Sequence, residues 1–175
     1  MKNFFLKLKS SHIIIASVLT IIILGIMDFY SLPAIEKAAG GIKAFDLQTF
    51  GYSYETANAF LNSLSEEGRS LFLHFQLPLD FVFAFVYTFL FLALFERLNK
   101  SGHRLIIFPI ILFALDIAEN TISIILLKST ELSHSIVAVG GTVTLLKNIF
   151  TLICSVIIIV FLIIFFVKRK QNKKS

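Results

Sequence analysis

The chain has 175 residues, of which 57% are hydrophobic and 15% charged, with 20 Phe and no Trp. That composition leaves too little polar surface to coat a soluble domain of this size, so a membrane has to cover the remainder. The net charge is +5, but the excess sits in short segments flanking apolar runs, which argues for anionic lipid head groups and against nucleic acid as a partner.

Apolar runs occupy about 13–30, 70–95, 105–127 and 143–167, and each offers the ~20 residues that a spanning helix needs. Backbone groups in lipid must be satisfied within their own segment, so the expected fold class is an all-α membrane protein: a four-helix transmembrane bundle forming one domain over 1–175. β-branched stretches such as Ile13-Ile14-Ile15 would suit a strand in water and here suit a lipid-facing helix.

Lys2, Lys7 and Lys9 ahead of the first run also describe a secretory signal. The chain continues through Asp28, Tyr30 and Pro33 without a small-x-small cleavage site, so the run reads as an uncleaved first span. The segment 31–69 that follows is the one sizeable region outside the spans. Gly40-Gly41, Phe45 and Phe50 mark a loop with apolar anchors. Ser53 with Glu55 opens a short helix whose Ala57, Phe60, Leu61 and Leu64 share a face. Ser65 with Glu66 and Glu67 caps a helix running into the second span. Too short for a core of its own, the segment is expected to lie across the bundle mouth as a lid.

In the second span Gln76, Asp80, Phe83 and Tyr87 fall on one face with Arg69 above, and His74 on a neighbouring stripe. The third carries Asp116, Glu119 and Asn120 at i, i+3 and i+4, hence on one face. The fourth carries Thr144, Lys147, Asn148 and Thr151, and the first contributes Ser17, Thr20 and Asp28. A lone Asp or Lys at the centre of a spanning helix costs about 2.5 to 3.5 kcal/mol, so these ions are expected to face one another or water. Lys147 is the natural partner of Glu119 or Asp116, and one cation cannot neutralise three acids. The candidate ligand-binding residues are therefore His74, Asp80, Tyr87, Asp116, Glu119, Asn120, Lys147 and Asn148, converging on a site that opens beneath 31–69. The same residues also serve as interhelical glue in the simpler reading.

Basic residues set the expected orientation. Of 16 Lys and Arg, 11 lie before the first span, between the second and third, and after the fourth, accompanied by the single acid Glu96. The positive-inside rule then puts both termini in the cytoplasm of a multi-pass protein of the cell membrane. The one cysteine, Cys154, excludes an internal disulfide or a Cys-pair redox site. His12, His74, His103 and His134 are scattered, no phosphate-cradling loop or metalloprotease motif occurs, and no cofactor is implied. Gly140-Gly141 reads as loop punctuation, Pro78 and Pro109 as kinks or helix starts, and Tyr30, Tyr52 and Tyr54 as an interfacial belt.

The stretches Phe45-Asp46-Leu47-Gln48-Thr49-Phe50-Gly51-Tyr52-Ser53, Leu64-Ser65-Glu66-Glu67-Gly68-Arg69, Leu79-Asp80, Asp116-Ile117-Ala118-Glu119-Asn120 and Thr144-Leu145-Leu146-Lys147 resemble a family of small bacterial four-helix integral membrane proteins. That resemblance implies the fold and carries no activity. Met27-Asp28 shortly before Pro33, acids within helices and a Lys-rich tail are similar, on shorter motifs, to the EXPERA-domain sterol-binding and sterol-isomerase proteins, which implies an apolar ligand. Two main functional classes remain. One is a module that binds a lipid-like or small amphipathic ligand, or a partner membrane protein, among membrane lipids. The other is an intramembrane enzyme on a lipid or isoprenoid substrate, with Glu119 or Asp116 as general acid and His74 or Asp80 as base. A proton- or ion-coupled accessory to transport is the third, narrower reading.

Overall fold

The computed structural model describes residues 9–98 and 103–171, and they fold almost entirely into helix. Of the basic flanks, Lys2, Lys7, Lys100, Lys173 and Lys174 lie outside the described residues. The long helices are α1 (Ser10–Ala38), α3 (Glu66–Arg97), α4 (Ile107–Lys128) and α5 (His134–Gln171), with the short α2 (Tyr54–Ser63) between the first two. All four long helices are long and apolar enough to cross a membrane. Their outward faces are correspondingly apolar, with Ile21 69% and Ile159 55% exposed.

Three of these helices outrun the apolar segments expected of them. α1 continues past residue 30 to Ala38, α3 begins at Glu66, and α5 begins at His134 instead of near 143, so the region outside the spans contracts from 31–69 to 39–65. Local chemistry sets the ends. Gly40 and Gly41, at φ 65° and 89°, turn the chain out of α1, and the Gly41 N–H donates to the Glu36 carbonyl at 2.8 Å. Ser53 Oγ accepts from the Thr56 N–H at 3.3 Å to start α2, and Ser65 Oγ accepts from the Gly68 N–H at 3.2 Å to start α3, as their sequence context implies.

Two wide turns interrupt the long helices, Met27–Ser31 in α1 and Phe72–Gln76 in α3. Each precedes a proline, Pro33 and Pro78, whose ring would collide with the carbonyl four residues back; the π-type turn moves that carbonyl aside without breaking the helix. The two wide turns meet, and Ser31 Oγ donates to Gln76 Oε1 at 2.5 Å in a fully buried contact. Pro109 sits in the first turn of α4, where a missing N–H costs nothing.

α1 packs on α3, α3 on α4 and α4 on α5, while α1 and α5 have no extensive contact and leave a cleft between them. Residues 39–65 close the bundle end opposite the termini. Phe45, Tyr52, Phe60 and Phe72 form an aromatic cluster there with Leu126 and Val137. A second apolar cluster, including Ala84, Phe95, Leu112 and Cys154, fills the bundle toward the other end. The polar side chains of the spans lie between the two.

Gly140 and Gly141 are not loop punctuation: both lie within α5. A Cβ on Gly141 would stand 2.2 Å from the Tyr52 carbonyl oxygen, one on Gly140 2.1 Å from the Tyr52 hydroxyl, and one on Gly51 2.2 Å from the Gly141 carbonyl oxygen. The glycines let the lid backbone lie directly on α5. Tyr52 is consequently 8% exposed and belongs to the core instead of an interfacial belt, and Tyr54 stacks on His134 at 3.7 Å. Of the two aromatic anchors expected in the loop, Phe45 is 1% exposed and Phe50 87%.

Candidate functional site

Helical spacing puts Gln76, Asp80, Phe83 and Tyr87 on the inward face of α3, opposite Asp116 and Glu119 of α4 and Lys147 of α5. Asp116, Glu119 and Asn120 are 3%, 1% and 1% exposed, so the whole polar face of α4 is turned inward. Lys147 Nζ forms an ion pair with Glu119 Oε2 and stands 3.6 Å from Asp116 Oδ1. The other Glu119 oxygen accepts from Thr144 Oγ1 at 2.5 Å, and Asp116 Oδ2 accepts from the Tyr87 hydroxyl at 2.7 Å. Both acids expected as partners of Lys147 are thus its partners.

Beside this network lies a cavity of about 360 Å³. Asp80, Tyr87, Asp116, Lys147 and Asn148 line it, as do Asp28 from the wide turn of α1 and Asp46 from the lid. Its deeper wall is apolar, with Leu24, Phe91 and Leu112. From Asp80 to Phe91 is eleven residues along α3, so the cavity extends about 16 Å down the bundle from the lid at 1.5 Å per residue. Leu24, Asp28 and Thr151 line the cavity yet are exposed, which shows that it opens sideways through the α1/α5 cleft.

Among the described residues Asp80, 5% exposed, makes no ion pair; the Asn120 amide lies beside it, and Asn120 Nδ2 has no hydrogen-bond partner there. Asn148 is committed to the lid, its Nδ2 donating to the carbonyls of Gln48 and Thr49 at 3.2 and 3.1 Å. Arg69, the cation above the inward face of α3, donates to the Leu127 carbonyl at the end of α4 and to the Leu61 carbonyl of α2, so it caps α4 and ties it to the lid helix. Glu119 and Asn120 support the cavity from behind. His74 is not brought to the site: it lies in the wide turn Phe72–Gln76 with its side chain exposed.

No family model, curated protein or solved structure matches this chain.

Asp46 is the residue that sequence reasoning missed. It occupies a single turn of 3-10 helix, Phe45–Leu47, and its Oδ1 is buried with no hydrogen-bond partner. Burial pushes its carboxyl from the ordinary 3.8 up to about 6, against the attraction of Lys147 and with the charges of Glu119 and Asp116 adding to the rise. Tyr52 is pushed up in the same way, by burial and then by Glu119. The only sequence signal for Asp46 is a charge in the apolar phrase Ala44-Phe45-Asp46-Leu47.

The cavity offers carboxyls, one phenol and one ammonium already held by Glu119, while the Thr144 hydroxyl is turned to the other Glu119 oxygen behind it. Among the described residues no three His, Cys, Asp or Glu side chains gather closely enough to hold a metal ion.

Proposed function

We propose that the protein is a four-span membrane protein that binds a small amphipathic molecule in the cavity beneath its lid, taking it from the bilayer through the α1/α5 cleft. The observation that carries this reading is the gradient within one cavity: ionisable groups under the lid, apolar side chains deeper in, and a side opening at the level of both. A volume of about 360 Å³ is in the range of small-molecule pockets, which bury an apolar body and orient it with a few polar groups. Lipid-like ligands reach such a cavity laterally, since their reservoir is the membrane itself. The exposed apolar faces of α1 and α5 support insertion, and the basic flanks at 9, 97 and beyond 167 support an orientation with both termini in the cytoplasm and the lid outside.

The test is retention of lipid. Detergent-purified protein is incubated with a total lipid extract, washed and analysed by mass spectrometry, beside a Thr151→Trp variant that fills the cavity mouth. Enrichment of a discrete species by the wild type, lost in Thr151→Trp, is expected. Equal lipid profiles for both proteins would refute the reading.

A further inference from the structure

Resting on that reading, we infer that the ligand carries a cationic amine head, so that the protein selects amphiphilic amines over fatty acids and neutral alcohols. Four carboxyls face the cavity, Asp28, Asp46, Asp80 and Asp116, against one ammonium, Lys147. That ammonium is not available to a ligand, because Glu119 pairs with it and Asp116 stands 3.6 Å away. An anionic head would therefore meet a surplus of acids with no free cation among the described lining residues, whereas an ammonium would find one carboxyl, Asp80, that is 5% exposed and has no ion pair among the described residues. A carboxylate this deeply buried keeps its charge only with a cation beside it, and a bound ammonium is such a partner for Asp80.

Three further features agree with an organic cation. Asp46 Oδ1 is buried, unpartnered and on the same cavity, so a second acceptor waits at the lid. Phe83, Tyr87 and Phe91 line the cavity as a ladder of rings, with centroids 5.0 and 5.6 Å apart, and ring faces attract ammonium groups. Among the described residues the carboxyls do not gather as metal ligands, and a head group larger than a bare ion is needed to reach more than one of them. The deeper apolar wall of Leu24, Phe91 and Leu112 takes the chain.

Three probes of one chain length separate head-group charge from apolar burial: n-decylamine, n-decanol and decanoate. Each is titrated, radiolabelled, onto protein in phosphatidylcholine nanodiscs, with empty discs subtracted. Decylamine is expected to bind at least tenfold more tightly than decanol, and decanoate more weakly than either. Asp80→Asn, its fold checked by helical circular dichroism and monodisperse elution, should bring decylamine to within about threefold of decanol. Should Asp80→Asn not fold, Asp46→Asn, outside the spans, is expected to reduce the same preference at least threefold. Decanol or decanoate binding as tightly as decylamine, or a preference untouched in the folded variant, overturns the inference and leaves the amphiphile site standing. Absence of saturable binding by all three probes overturns both.

Discussion

Replacing Lys147 by Met tests whether the buried ions are a designed network. The methionine fills the space of the lysine stem but removes the partner of Glu119 Oε2 and the nearest cation to Asp116. Glu119 would keep only the hydroxyl of Thr144, and Asp116 only that of Tyr87. Stranding one member of a buried pair costs about 3 to 5 kcal/mol. At roughly 2 to 4 °C per kcal/mol for a chain of this size, Lys147→Met is expected to lower the thermal midpoint in detergent by about 6 to 20 °C. Glu119→Met alone leaves the ammonium with Asp116, a partner 3.6 Å distant, and should cost less. The double replacement removes both charges, so it should recover at least about 2 kcal/mol relative to the sum of the singles, as coupled neighbours do. A double variant as damaged as that sum would show that no pair exists.

Other outcomes follow from the lid and the termini. Gly141→Ala places a methyl 2.2 Å from the Tyr52 carbonyl oxygen, so it should cost about 1 to 3 kcal/mol and expose residues 39–53 to limited proteolysis; an unchanged digestion pattern would contradict the docked lid. Asp46 has a carboxyl pushed up to about 6 from 3.8, so the folded state favours its protonated form. Stability should then be greatest below about pH 4, fall on the order of 2 to 3 kcal/mol as pH rises to about 6, and level off above it. Asp46→Asn should flatten that window in a melting series from pH 4 to 8, and an unaltered slope would place the titration elsewhere. Cys154 is buried, so a cysteine introduced at Gly41 should be labelled by an impermeant thiol reagent in intact cells, and one introduced after Val167 should not; labelling of the tail would reverse or break the four-span topology.

Much of this architecture is legible in the sequence because it rests on local signals. The four apolar runs, the caps at Ser53 and Ser65, and the inward face Asp116, Glu119 and Asn120 follow from length, side-chain acceptors and helical spacing, and the pairing of Lys147 follows from the cost of leaving it alone. What was not legible depends on contacts distant in the chain. Gly140-Gly141 has the composition of a turn, and only the approach of Tyr52, nearly ninety residues earlier, makes it a seat within a helix. Asp46 lies in a segment without periodicity, so nothing local aims it into the cavity. His74 stands about 200° around the helix from Gln76 at 3.6 residues per turn, so regular spacing itself turns it away from the inward face, and its side chain is exposed. The extension of α1 to Ala38 is not legible either, because Pro33 looks like a boundary until the wide turn accommodates it.

The occupancy of the cavity in a living membrane is the most direct measurement. A benzoylphenylalanine photocrosslinker in place of Phe91 projects into the apolar end of the cavity, while the same group in place of Ile159, which is 55% exposed, faces out of the bundle. After irradiation of cells and digestion of the purified protein, mass spectrometry identifies the adduct at each position. A discrete amphiphile captured at position 91 and missing at position 159 is the predicted result; the same spread of bulk phospholipid at both positions would contradict a ligand site and leave the buried acids as the glue of a small helical bundle.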